Sequence, residues 1–196
     1  MHLRNGVVVR DPLGVVLGFL EAYGPDEVDP SRPASFGEPD LRRANRGGGR
    51  ISAAEIAAIL ERRREIERAL RAIPADASLV GTASSVPWAS LRQLFDAFGD
   101  IRGVGLGKAT KALHPKRPTL IPILDSVVQR YLKDDDPGSE APFGERAVVL
   151  VRGYKRDLDR NRATLRRVRR ELAKLGYDVA EVRILDMLIW STGFVP

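Results

Sequence analysis

A chain of 196 residues with a net charge of +6, mostly through arginine, is long enough to bury a core in one domain or two closely joined lobes, and its charge favours an anionic partner. It has no cysteine, which excludes disulfides, thiolate zinc sites and cysteine-held iron–sulfur clusters, and its two histidines, His2 and His114, are not at ligand spacing, so neither a metal nor another cofactor is expected. No apolar run reaches membrane-spanning length and the N-terminal apolar stretch is too short for a secretory signal, so a cytoplasmic protein without a membrane partner is expected.

In chain order, the β-branched run 7–9 reads as a small strand or an extended lead-in, and Asp11-Pro12 opens a helix through Leu17, Leu20 and Tyr23. Residues 24–39 are dense in Pro, Gly, Ser and acids and read as a loop. Leu41 and Ala44 then predict a helical turn stopped by Gly47, and the triple glycine 47–49 leaves Asn45 or Arg46 free to reach a neighbouring cleft. Asn45 reads either as a helix C-cap or as an amide that meets the edge of a base. Ser52 and Glu55 form a capping box for a helix that runs to about Ile73, where Pro74 stops it. A polar connection over 79–85 leads to Pro87-Trp88; Trp88 is a core anchor or a wall of a base pocket.

The stretch 90–132 organises the rest. Leu91, Leu94, Phe95 and Phe98 fall at helical spacing, Gly103, Gly105 and Gly107 supply a sharp turn, and Lys108 and Lys111 lie on the helix that follows. Such a turn ahead of a helix start presents N–H groups and the positive end of the helix dipole to a phosphate, with Lys108, Lys111, Lys116 and Arg117 adding charge nearby. Equally, the glycines serve packing alone. A further helix begins at Asp125, which reads as its N-cap, as a functional carboxylate, or as both. After an acidic turn over 134–139, a helix over 143–158 is expected, with Gly153 a point of interruption. Next comes a stripe of Leu165, Val168, Leu172 and Leu175 backed by arginines, and then a last amphipathic helix over 179–190 that ends at Trp190.

Gly103-Val104-Gly105, then Ala109, then Pro122-Ile123-Leu124-Asp125 with Asp125 sixteen positions after that alanine, resembles the helix-hairpin-helix (HhH-GPD) DNA glycosylase superfamily, nearest its adenine-mispair branch. The likeness covers about forty residues without a gap. It implies an all-α, two-lobed glycosylase fold: N-terminal helices 1–86 packing with basic C-terminal helices 141–196 as one lobe, and a helix-hairpin-helix lobe over 87–140. It also implies Asp125 as the catalytic carboxylate, which stabilises positive charge on the sugar as an N-glycosidic bond breaks. Gly103, Gly105, Gly107, Lys108 and Lys111 become the DNA-backbone contacts, and Asn45, Trp88, Tyr131 and Trp190 the candidate base pocket. Two departures bear on mechanism. The cluster cysteines of several branches are missing, and Gly107 stands where strand-cleaving members carry a lysine. The expectation is therefore a monofunctional, monomeric, nucleoid-associated enzyme that acts on double-stranded DNA and leaves an abasic site. Its role is repair, or removal of a modified base such as glucosylated hydroxymethylcytosine from phage DNA, and Gly107 hints at room for a bulky base. The alternative is a non-catalytic helix-hairpin-helix DNA-binding protein.

Overall fold

In a computed structural model, described for residues 1–25 and 33–193, the chain is all-helical. The described residues form ten α-helices and no β-strand; the lead-in makes only one antiparallel bridge, between His2 and Val8. Part of the loop expected over 24–39 lies outside the described residues. No described helix is long and apolar enough to cross a membrane.

The helices are α1 (Pro12–Tyr23), α2 (Glu38–Arg46), α3 (Ala53–Glu61), α4 (Arg63–Arg71), α5 (Trp88–Asp96), α6 (Leu106–Leu113), α7 (Ser126–Tyr131), α8 (Phe143–Arg160), α9 (Arg162–Lys174) and α10 (Glu181–Thr192). Local signals start several of them where the sequence places them. Asp11 accepts from Gly14 N–H ahead of α1, and Ser52 and Glu55 close their capping box on α3. The single helix expected from Ser52 to Ile73 is instead broken at Arg62, with α3 burying Ile59 and α4 burying Ile66, Ala69 and Leu70. No interruption occurs at Gly153, which sits inside a continuous α8.

Helix α10 explains the layout. Val182, Ile184, Leu185, Met187, Leu188 and Ile189 leave it apolar around most of its circumference, and a helix of that kind must be covered on several sides. It is packed by α1, α7, α8 and α9, while α5 lies along α8 and α2 along α6. The buried apolar side chains form one connected cluster from Leu3 to Ile189.

Ion pairs fasten the remaining segments. Arg4 reaches Asp157 at 2.5 Å and also bonds Asp135 and the Gly153 carbonyl, tying the N-terminus to α8. Lys116 and Arg117, expected near a phosphate, are instead structural. Lys116 pairs with Asp40 at 2.9 Å, and Arg117 is spent on the carbonyls of Pro33, Leu70 and Ile73.

Candidate active site

The segment Pro122-Ile123-Leu124-Asp125 is extended yet has no sheet to join, so its backbone groups must find side chains. Each does. Asp186 Oδ2 accepts from Ile123 N–H at 3.1 Å, and Thr110 Oγ1 accepts from Leu124 N–H at 2.9 Å. Gln129 Nε2 donates to the Leu124 carbonyl at 2.7 Å, and just upstream the Ile121 carbonyl lies 2.6 Å from His114 Nδ1. Helices α6, α7 and α10 thus fix a short strand-like segment from three sides, and Asp125 stands at its end.

Half-buried Asp125 caps α7. Its Oδ1 accepts from Val127 N–H at 3.0 Å and from Val128 N–H at 3.1 Å, and Oδ2 takes no part in the cap. The carboxylate is therefore held at one oxygen with the second left over, an arrangement that lets a cap also act on a bound molecule. Behind it runs α6. A Cβ at Gly107 would lie 3.3 Å from Asp125 Cα and 3.8 Å from Asp125 Cβ, so the missing side chain is taken up by the backbone of Asp125 and does not leave space for a bulky base.

The turn before α6 is tight: Val104 N–H donates to the Ile101 carbonyl at 3.0 Å, and Gly103 has φ +82°, a conformation that favours glycine. Gly103 and Gly105 are exposed, and nothing lies within 4 Å of where a Gly105 Cβ would be. Lys108 does not point away from the protein: its Nζ donates to both Glu55 oxygens, at 2.7 and 2.8 Å, and to the Gly103 carbonyl at 3.0 Å, clamping the turn to α3. The bond from Lys108, with help from Ser52 N–H, holds the Glu55 carboxyl below the usual carboxylate range. A carboxyl depressed in this way stabilises the fold above its unfolded pKa, and the gain is lost as pH falls through the folded value. Accordingly, Glu55→Gln is expected to lower the melting temperature at neutral pH, with the two proteins converging in acid below roughly pH 4, as read by thermal melts across pH.

Asp125 lies in the wall of a cleft of about 400 Å³, inside the range of roughly 300–1,000 Å³ usual for small-molecule sites. Besides the segment of Ile123 and Asp125, four parts of the chain line it: Phe19 and Tyr23 from α1, Arg46 to Gly48 at the end of α2, Lys111 from α6, and Arg183 with Trp190 from α10. The three rings form a cluster, with Phe19 and Tyr23 centroids 5.5 and 5.3 Å from Trp190 and both edge-on to it, and Arg183 lies over Phe19 at 5.3 Å. Lys111 Nζ donates to the Gly47 and Gly48 carbonyls at 2.9 and 3.2 Å; burial lowers its pKa, and the nearby Asp125 charge opposes that shift.

Of the residues singled out from sequence, Asp125, Lys111, Trp190 and Arg46 with the glycines that follow it meet at this cleft, with Gly107 directly behind. The others lie elsewhere. Asn45 is neither C-cap nor cleft residue: its amide is spent on Ile51, accepting from N–H at 2.6 Å and donating to the carbonyl at 2.8 Å, and Gly47 caps α2. Tyr131 accepts from Arg4 N–H at 3.0 Å and borders a different depression with Arg130 and Lys133. Trp88 donates to the Ala83 carbonyl at 2.9 Å and lies beneath Arg152. Sequence reading missed Phe19, Tyr23 and Arg183. The signal was there: Phe19 and Tyr23 are one turn apart on α1 and out of phase with its buried Val16 and Leu20, and Arg183 is the one basic residue of a largely apolar helix.

One family pattern matches residues 18–193, a span that takes in every cleft residue from Phe19 to Trp190. The chain belongs to DUF6308, a family of unknown function. No curated protein and no solved structure matches this DUF6308 chain.

Proposed function

We propose that the protein is a monofunctional DNA glycosylase of the helix-hairpin-helix type, in which α5, the glycine turn and α6 grip the DNA backbone and Asp125 acts on the deoxyribose of a nucleotide extruded into the neighbouring cleft. On this reading the α5–α6 region and the helices around α10 act as two lobes that share one core, with the cleft between them. The observation that carries the proposal is the placement of Asp125: a carboxylate fixed by the α7 cap at the wall of an aromatic-lined cleft, with α6 packed against its backbone.

The chemistry follows from the residues. A base inside a duplex is out of reach, so the nucleotide must leave the stack at a cost of a few kcal/mol. Rings such as Trp190 and Tyr23 offset part of that cost by stacking. As the N-glycosidic bond lengthens, positive charge grows on the sugar, and the Asp125 carboxylate stabilises it and orients the attacking water. Position 107 abuts Asp125, and there the chain has no amine; Lys108 is paired with Glu55, and Lys111 is held by two carbonyls. An intact strand carrying an abasic site is the expected product.

The test is to incubate the protein with duplexes carrying alkylated, oxidised, mispaired and glucosylated bases, then to apply alkali and look for breaks. Borohydride is expected to trap no adduct; an adduct lost in Lys111→Ala would overturn the monofunctional assignment. Gly107→Val, which drives a branched side chain into the Asp125 backbone, is expected to slow single-turnover excision about 100-fold, the scale of an ångström-size displacement of a reacting group. One observation favours a second reading, a non-catalytic DNA-binding protein: Asp125 makes a complete N-cap, which by itself accounts for an aspartate there. Binding without base release across the panel would establish that reading.

A further inference from the structure

Asp186 has no role in the reaction just described, yet its placement is unusual. It is 2 % exposed, on a helix buried around most of its circumference, and one of its oxygens takes the Ile123 N–H while Oδ1 has no hydrogen-bond partner. An orphaned, fully buried carboxylate oxygen is costly and calls for an explanation. Its neighbours supply one. Tyr154, wholly buried on α8, donates its one proton to the Val182 carbonyl at 2.5 Å, and with the proton placed there its oxygen has only lone pairs to offer a neighbour. A protonated Asp186 can donate to such lone pairs and an ionised one cannot.

Resting on the glycosylase reading, we propose that Asp186 is a positioning residue for Asp125: through the Ile123 N–H it sets the segment that ends in the catalytic carboxylate, and only its ionised form holds that segment firmly. A bond from N–H to a carboxylate is about twice as strong as one to a neutral carboxyl. Ionised, Asp186 pulls Ile123 towards α10; protonated, it turns its proton to Tyr154 and the grip on Ile123 weakens. The groups acting on it are Arg183 on its own helix, which favours the charge, Tyr154 on α8, and Asp125 at the start of α7, which disfavours it. Burial outweighs these and pushes the carboxyl up to about 7, so the change falls at neutral pH. Ionisation therefore costs stability, because the folded chain holds this proton more tightly than the unfolded one. The ionised form sets the site and the protonated form favours the fold.

The experiment compares full-length wild type with Asp186→Asn, which keeps the Ile123 acceptor and offers Tyr154 a permanent donor. Carbonyl-labelled aspartate is followed by NMR across pH, and single-turnover base release is followed on the substrate found in the panel above. Expected are one carboxyl that titrates near neutrality and vanishes in the variant, and a wild-type rate that rises about tenfold between pH 6 and pH 8, the change in ionised fraction, while the variant stays flat. Arg183→Gln removes the cation on the same helix and is expected to move the NMR midpoint to higher pH, a readout that does not need Asp186→Asn to fold. An unchanged rate profile in Asp186→Asn, or an Asp186 resonance that titrates in the ordinary acid range, overturns the inference. A near-neutral titration with no base released from any duplex sinks the glycosylase reading and leaves the Asp186 contact to Ile123 as a pH-dependent feature of the fold.

Discussion

Asp125→Asn is expected to reduce base excision by roughly 10²–10⁴-fold while leaving the melting temperature and duplex binding almost unchanged. Asparagine is as good an N-cap as aspartate, and its amide oxygen can replace Oδ1 opposite Val127 and Val128, so α7 keeps its start. What is lost is the charge. Removing a negative group near Lys111 also takes away a repulsion towards phosphate, so affinity for duplex DNA holds or rises. Asp125→Ala separates the two roles: it loses the cap as well and is expected to cost about 1 kcal/mol of stability beyond the asparagine variant. The measurement pairs single-turnover excision with thermal melts and binding titrations. Full excision by Asp125→Asn would mean that the aspartate only starts a helix.

Asp40→Ala is expected to be the most destabilising of the substitutions considered, by about 3–5 kcal/mol, or on the order of 10 °C in a protein of this size. Asp40 is 5 % exposed and serves three partners: Gly37 N–H at the start of α2, Arg43 at 3.1 Å, and Lys116, whose side chain is 3 % exposed. Taking the carboxylate away removes the Asp40 partner from a buried ammonium and the cap from Gly37 N–H at once. The double variant Asp40→Ala with Lys116→Met is expected to recover part of the loss, because it removes the cost of keeping the Lys116 charge buried with its Asp40 bond gone. Excision should fall with stability, since α2 packs on α6 and its terminal glycines form one wall of the cleft. Chemical denaturation of the single and double variants provides the check.

Much of the helix order was legible because capping and periodicity are local. Asp11, Ser52 with Glu55, and Asp125 each start a helix through contacts within four residues. The break at Arg62 was not legible, since the periodic pattern continues through it and only the direction of the core decides where the chain bends. In the same way Lys116 and Arg117 read as surface charge from sequence alone; their partners, Asp40 and the carbonyls of Pro33, Leu70 and Ile73, are tens of residues away. The cleft divides along that line. Asp125 and Lys111 belong to one contiguous stretch and were found by spacing, whereas Phe19, Tyr23 and Arg183 join them only because α1 and α10 pack together at that point.

That meeting of rings has a practical consequence. The protein has two tryptophans, and only Trp190 borders the cleft, while Trp88 is occupied with Ala83 and Arg152. A Trp88→Phe protein therefore carries a single indole fluorophore at the mouth of the site, and quenching of its emission by a stacked nucleobase would report occupancy directly, before any bond is broken and whichever base turns out to be the substrate.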